Sequence, residues 1–222
     1  MLLFAADTSG KNGSIALAKC SPGNCDVIEV VPLEGGTFSA QLIPQLAALL
    51  KKHGFHKTDL EGFAVASGPG SFTGLRVGLS AIKALAEILQ KPIAAVSLLE
   101  AIAAAGGING KVIAALDAGR NEIYVGEYEI GSKRTMLSEQ LFSTEEFLAF
   151  AKRKPVITPD KRIAELAHNG GIVSKEIERP TSADIACLGW LQIQAGNVVP
   201  PEQLEANYIR RSDAEIFSKP LS

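Results

Sequence analysis

Two aspartates close short apolar runs and open turns of small residues: Asp7-Thr8-Ser9-Gly10 and Asp117-Ala118-Gly119-Arg120. A carboxylate at a strand end, with hydroxyls beside it, can ligate Mg²⁺. The same side chain can cap a turn by accepting a backbone N–H two residues on. Residue type alone favours neither role. A third stretch, Ser67-Gly68-Pro69-Gly70-Ser71-Phe72-Thr73-Gly74-Leu75-Arg76-Val77-Gly78, follows an apolar run and leads into another. Glycine-rich turns before a helix bend where a Cβ would clash and leave N–H groups facing an incoming group. This one is phosphate-like in style but fits neither common fingerprint. A P-loop ends in Gly-Lys-Ser/Thr, and no lysine occurs until Lys83; a dinucleotide turn wants a small residue where Thr73 stands. Thr73 also breaks the Gly-x-Ser-x-Gly pattern of a serine hydrolase, and no His-Glu-x-x-His is present. Peptidase chemistry is therefore disfavoured.

The elements that would position these residues follow from periodicity and turn signals. Residues 2–6, 14–19 and 26–31 read as strands joined by the turns 10–13 and 21–24. A helix over 39–53 carries Leu42, Leu46 and Leu49 or Leu50 on one face, with Ser39 as N-cap. Pro44 starts the regular helix later or kinks it. A strand near 63–66 leads through the glycine turn into a helix reaching about residue 89. On that helix Gly74 and Gly78 lie one turn apart, and Ala81 continues the face. A helical glycine costs about 1 kcal/mol against alanine, so two on one face imply a close-packed neighbour. From the residues alone, the chain's own sheet is the favoured neighbour over a partner's helix.

A boundary is expected near residues 105–110. Beyond it, 111–116, 122–130 and 137–142 read as strands, and 144–152, 160–168 and 182–194 as helices. Strand–helix alternation predicts an α/β protein with a mostly parallel sheet under covering helices. Both halves open with strands and an Asp turn, a weak internal repeat.

With 222 residues, one large domain or two lobes is expected, and 46% apolar content supports a real core. No apolar run is long enough to span a bilayer. The N-terminus lacks a basic region and a cleavage signature, so it reads as the first strand. A net charge of −2 and a pI of about 6.0 argue against a chain that grips nucleic acid alone. The densest basic run, Lys152-Arg153-Lys154, reads as a solvated helix end. Cys20 and Cys25 flank the hairpin turn Ser21-Pro22-Gly23-Asn24. They can pair, but with Cys187 they make an odd count, and free thiols in a reducing cytoplasm are expected. No second close cysteine pair suggests zinc.

The glycine-rich string resembles that of the TsaB family, a branch of the actin-like ATPase, sugar kinase and Hsp70 superfamily. Leu2-Leu3-Phe4-Ala5-Ala6-Asp7-Thr8-Ser9 resembles the family's opening strand and turn. Ser39-Ala40-Gln41-Leu42-Ile43-Pro44 is similar to its first helix, Val96-Ser97-Leu98-Leu99-Glu100 to the close of its first lobe, and Asn207-Tyr208-Ile209-Arg210 to its near-terminal motif. The resemblance implies a two-lobed actin-like ATPase (ribonuclease H-like) α/β fold with mixed sheets flanked by helices. Residues 1–105 would form the first lobe, with 200–222 returning to it, and 106–199 a smaller second lobe.

It also implies a non-catalytic, cytoplasmic subunit of the machinery that makes N6-threonylcarbamoyladenosine at A37 of tRNA. The partner would be the transferase TsaD, with the ATPase TsaE recruited, a homodimer forming in isolation, tRNA met only indirectly, and no membrane. TsaD carries a His-x-x-x-His metal pair; the corresponding positions here are Leu98 and Ile102, which cannot ligate a metal. His53, His56 and His168 do not replace them. The family's pairing through first-lobe helices reverses the preference stated above for Gly74, Gly78 and Ala81. The partner face would comprise Leu42, Leu46, Leu49, Ser71, Phe72, Thr73, Gly74, Arg76, Val77, Gly78 and Ala81. Asp7, Ser9, Asp117 and Gly119 would mark a vestigial nucleotide cleft. No cofactor is expected to bind tightly, with ATP or ADP accommodated at a subunit interface. The alternative is a small-molecule kinase or ATPase working between Asp7 and Asp117. The sequence departs from the family at Phe38 and at Arg120, one place late, while Glu122 and Tyr124 match.

Overall fold

The structure is a computed structural model that describes residues 1–210. It divides into two compact units, residues 1–101 with 179–206, and residues 102–178 with 207–210.

The first unit is built on a five-stranded sheet in the order β3-β2-β1-β4-β5. Its strands are β1 (Leu2–Asp7), β2 (Gly13–Ser21), β3 (Asn24–Leu33), β4 (Gly62–Gly68) and β5 (Ile93–Ser97). β1, β2 and β3 pair antiparallel, whereas β4 joins β1, and β5 joins β4, in parallel. The predicted mostly parallel sheet is thus mixed, because the first three strands are linked by tight hairpins and only the later ones by helical crossovers.

Alternation along the strands sorts the two faces. Leu2, Phe4, Ala6, Ile15, Leu17, Phe63 and Val65 pack against α1 (Phe38–Lys52) and α2 (Phe72–Leu89). Burying one Leu or Phe side chain contributes about 1.5–3 kcal/mol, so this layer dominates the unit's stability. α1 begins at Phe38 rather than later, with Pro44 inside it and Thr37 instead of Ser39 at the N-cap; the buried Phe38 ring anchors the first turn.

Helix α6 (Ser182–Gln194) packs on the first sheet, not in the second lobe as expected. Its Gly189 is the reason: a Cβ there would overlap the Ala64 methyl, so helix and strands meet backbone to backbone. Thr181 and Asp184 cap the helix reciprocally, and the Ser182 N–H donates to Ser14 Oγ at 2.9 Å. Trp190 Nε1 donates to the Ser21 carbonyl at 3.0 Å. In the expected 200–222 return, 200–206 belong to the first unit and 207–210 to the second; 211–222 lie outside the described residues.

The second unit repeats the plan with the order β10-β9-β6-β7-β8. These are β6 (Gly110–Gly119), β7 (Glu122–Ile130), β8 (Arg134–Ser143), β9 (Val156–Thr158) and β10 (Ser174–Glu176). β6, β7 and β8 pair antiparallel, and β9 and β10 add in parallel beyond β6. The hinted internal repeat is therefore a repeat of topology, with β1 and β6 as equivalent central strands. Helices α4 (Thr144–Phe150) and α5 (Lys161–Asn169) cover one face through Phe147, Ile163 and Ala167 over Ile113, Ile123 and Val125. α3 (Leu98–Ala105) follows β5.

Candidate functional site

The two Asp turns share one local geometry. Asp7 Oδ1 accepts the Ser9 N–H at 2.8 Å, and Asp117 Oδ1 accepts the Gly119 N–H at 3.0 Å. Both carboxylates therefore cap the turn after the first strand of their sheet. Their surroundings differ. Asp7 is 3% exposed, and burial holds its carboxyl above the usual range, against the Ser9 hydrogen bonds and the nearby Arg179 charge. Asp117 is exposed and pairs with Arg162 at 2.9 Å, while its N–H donates to Asp160 at 2.7 Å. Asp7 and Ser9 lie in the first unit, Asp117 and Gly119 in the second. Among the described residues no group of three His, Cys, Asp or Glu side chains could hold a metal ion.

The glycine-rich string wraps the first Asp turn. The Gly68–Pro69 peptide is cis, and the Ser71 N–H donates to the Ser9 carbonyl at 2.7 Å. A Cβ at Gly70 would strike that same carbonyl. Ser71 caps α2 by accepting the Gly74 N–H. One turn along, a Cβ at Gly74 would overlap the Thr8 carbonyl oxygen, and one at Gly78 would overlap Thr8 Oγ1.

The glycine face is therefore occupied by the chain's own turn, which corrects its expected place in a partner interface. Leu42, Leu46 and Leu49 are corrected likewise. All three are buried beneath α1 in the first core and cannot reach a partner. Val77 and Ala81 are half-buried against that core, leaving Ser71, Phe72, Thr73 and Arg76 exposed.

A cavity of about 400 Å³ opens where the turn after β1 meets the starts of α1 and α2. Its lining includes Gly10, Lys11, Asn12, Ser39, Ser71 and Thr73. The outer sides of the two helices carry exposed apolar side chains: Ile43 at 46%, Phe72 at 42% and Ile88 at 75% exposure. Ala40, Ala47 and Ala84 are exposed with them. Arg76 stacks its guanidinium 3.8 Å from the Phe72 ring centroid. Ile43 and Ile88 lie outside the partner face expected from the sequence. On α2 the residues 72, 76, 80, 84 and 88 are all exposed, but the row winds by about 160° round the helix, so Phe72 and Ile88 lie at opposite margins of its outward side.

The positions expected to face metal in a catalytic relative, Leu98 and Ile102, are both fully buried. Two of the histidines serve structure. His53 lies 2.7 Å from the Glu29 carboxylate, which Lys52 shares, and His56 caps a short 3₁₀ turn with Asp59. In the basic run, Lys154 pairs with Glu127 at 2.9 Å and lies over the Phe150 ring. In the second unit, Arg210 pairs with Glu122 and faces the Tyr124 ring at 5.8 Å, bringing together three residues matched separately in the sequence. Burial raises the Tyr124 hydroxyl above its usual pKa. No helix among the described residues is long and apolar enough to cross a membrane.

Residues 30–198 match the family model described as TsaD: tRNA N6-adenosine threonylcarbamoyltransferase. The chain is 29% identical to the tRNA threonylcarbamoyladenosine biosynthesis protein TsaB of Bacillus subtilis, covering 97% of this chain and 96% of that one. It is 28% identical to its Escherichia coli namesake, covering 96% of each. A crystal structure from Pseudomonas aeruginosa, described as an uncharacterized protein with similarity to peptidase YEAZ, superposes with a TM-score of 0.73 at 25% identity. That match covers 94% of this chain and 99% of the other. The ethanolamine utilization protein EutJ of Carboxydothermus hydrogenoformans shares the fold alone, with a TM-score of 0.54 at 14% identity over 85% of this chain and 90% of EutJ.

Proposed function

Since the chain belongs to the TsaB family, we propose that it is a non-catalytic scaffold subunit in tRNA threonylcarbamoyladenosine biosynthesis, one that binds and supports the TsaD transferase. The observation that carries this reading is the exposure of large apolar side chains on the outer sides of α1 and α2, Ile43, Phe72 and Ile88. Apolar side chains flanked by an aromatic–arginine pair have the composition of an interface centre. The buried Leu98 and Ile102 support the non-catalytic part, because neither side chain can ligate a metal. In this reading these side chains take TsaD in a heterodimer, or a second copy of this chain when TsaD is absent. TsaE joins the assembled pair, and tRNA is held mainly by the partners. The chain binds no cofactor tightly by itself, and ATP or ADP is met at a subunit interface.

A kinase or ATPase built on the Asp7 turn is the weaker reading. Asp7 is buried, its carboxyl is held above the usual range by that burial, and it is occupied in capping Ser9. The test is light scattering on the chain mixed with TsaD from the same organism. A one-to-one complex is expected from the wild type. Ile88→Glu should weaken it at least about tenfold, some 1.4 kcal/mol, without changing the melting temperature. No complex at micromolar concentrations, with or without ATP, would overturn the scaffold reading.

A further inference from the structure

We propose that Cys20, Cys25 and Cys187 form a thiol site that a hydroperoxide oxidises to a disulfide between Cys20 and Cys25. These are the chain's three cysteines. They come from the end of β2, the start of β3 and the middle of α6, and they meet at one place in the first unit.

Cys20 and Cys25 are direct cross-strand partners beside the Pro22–Gly23 turn. The Cys20 N–H donates to the Met1 carbonyl and its carbonyl accepts from the Met1 ammonium, both at 2.8 Å. Both backbone groups of Cys20 are thus engaged on the β1 side, and the pair with Cys25 is a non-hydrogen-bonded one. In such pairs the Cα atoms lie about 4.5 Å apart and the side chains are closest. That spacing falls within the range, about 4.4–6.8 Å, that a disulfide spans. The two sulfurs are 3.5 Å apart. Cys187 Sγ donates to the Cys25 carbonyl oxygen at 3.7 Å. Cys25 is therefore the shared member, meeting Cys20 through its sulfur and Cys187 through its carbonyl.

Access removes Cys20 as the first thiol to react. Cys20 is buried, while Cys25 and Cys187 are half-exposed. Donation from the Cys25 thiol holds Cys187 below the ordinary thiol range, with burial and the charges of Asp184 and Asp26 opposing; Cys25 itself is pushed up. Of the two partly buried thiols, Cys187 is the one poised to attack first.

The Cys187 sulfur attacks one peroxide oxygen and the O–O bond breaks. The departing hydroxide takes the thiol proton and leaves as water, which gives a sulfenic acid. The Cys25 sulfur then attacks the Cys187 sulfur, the S–O bond breaks, and the hydroxide leaves as water with the Cys25 proton. Finally the Cys20 sulfur attacks Cys25, and Cys187 departs, taking up the Cys20 proton. Two thiols have lost two electrons and two protons, and one hydrogen peroxide has become two waters.

The experiment treats the reduced full chain with hydrogen peroxide, alkylates the remaining thiols and digests with trypsin. Cys20 and Cys25 share one tryptic peptide, residues 20–51, because no Lys or Arg lies between Lys19 and Lys51. That peptide should return unalkylated and two hydrogens lighter, with Cys187 alkylated, and dithiothreitol should restore it. Cys187→Ser should slow its loss of thiols about tenfold or more. Cys25→Ser should form no disulfide and let dimedone label Cys187. Cys25→Ala, checked for an unchanged melting temperature, repeats that arm. Three alkylatable thiols after peroxide, or disulfides only between chains, would overturn the site. An unchanged rate in Cys187→Ser would overturn the order of attack.

Discussion

Thr8 Oγ1 donates a 2.7 Å hydrogen bond to the Gly74 carbonyl, tying the turn after β1 to the first turn of α2 across 66 residues of sequence. Thr8 also fills the space that side chains at Gly74 and Gly78 would occupy, but with different atoms at the two positions. Gly74 faces a backbone oxygen, and Gly78 faces the side-chain hydroxyl.

A double-mutant cycle separates the two contacts. Gly78→Ala and Gly74→Ala should each destabilise in urea unfolding, by about 1–3 kcal/mol of overpacking less the helix preference of alanine. In a Thr8→Ala background the Gly78→Ala cost should vanish or become a gain of about 1 kcal/mol, because Oγ1 is gone. The Gly74→Ala cost should persist, because the Thr8 carbonyl remains. Equal relief at both sites would disprove this assignment of contacts.

Asp7 makes a prediction about pH. Burial raises its folded-state carboxyl above the ordinary value of 3.8. A raised pKa means that the folded state holds the proton more tightly than the unfolded one. The contribution to stability is then present below about pH 3.8 and is lost as pH rises through the folded value. Asp7→Asn keeps an acceptor for the Ser9 N–H without the charge. Its melting temperature should equal or exceed that of the wild type at pH 7, with the gap closing by pH 4. A lower value at pH 7 would mean that attraction to Arg179 outweighs burial.

The seat of α6 can be read from the chain's one tryptophan. Trp190 is bonded to Ser21 on β2, one residue beyond Gly189. Gly189→Val would push the helix off Ala64 and should lower the fluorescence-detected urea midpoint by the equivalent of about 1–3 kcal/mol, while Gln194→Ala, at an exposed position of the same helix, should change it far less. An unchanged midpoint in Gly189→Val would show that α6 does not rest on β4.

The central elements were legible because each carried enough periodicity. Strands β1, β2, β3, β4, β6 and β7 showed apolar runs bounded by turn residues, and α1 showed leucines at helical spacing. β9 and β10 were not anticipated; three residues are too few to display an alternation. α6 was recognised as a helix but assigned to the wrong lobe, because the sheet it covers depends on a glycine contact invisible in its own periodicity.

The candidate site divides in the same way. The sequence by itself determined the family, the Asp turns, the odd trio of cysteines and the departure from metal ligands at Leu98 and Ile102. These are matters of residue identity in order along the chain. Only the tertiary structure decided which side of each helix is free. Leu42, Leu46 and Leu49 proved to be core, Gly74 and Gly78 proved to be filled by Thr8, and Ile43 and Ile88 were left facing outward. It also brought Cys187 to a hairpin 162 residues away. A helical pattern shows that a face is apolar or small, but what covers that face is set by contacts between segments far apart in sequence, which no local spacing encodes.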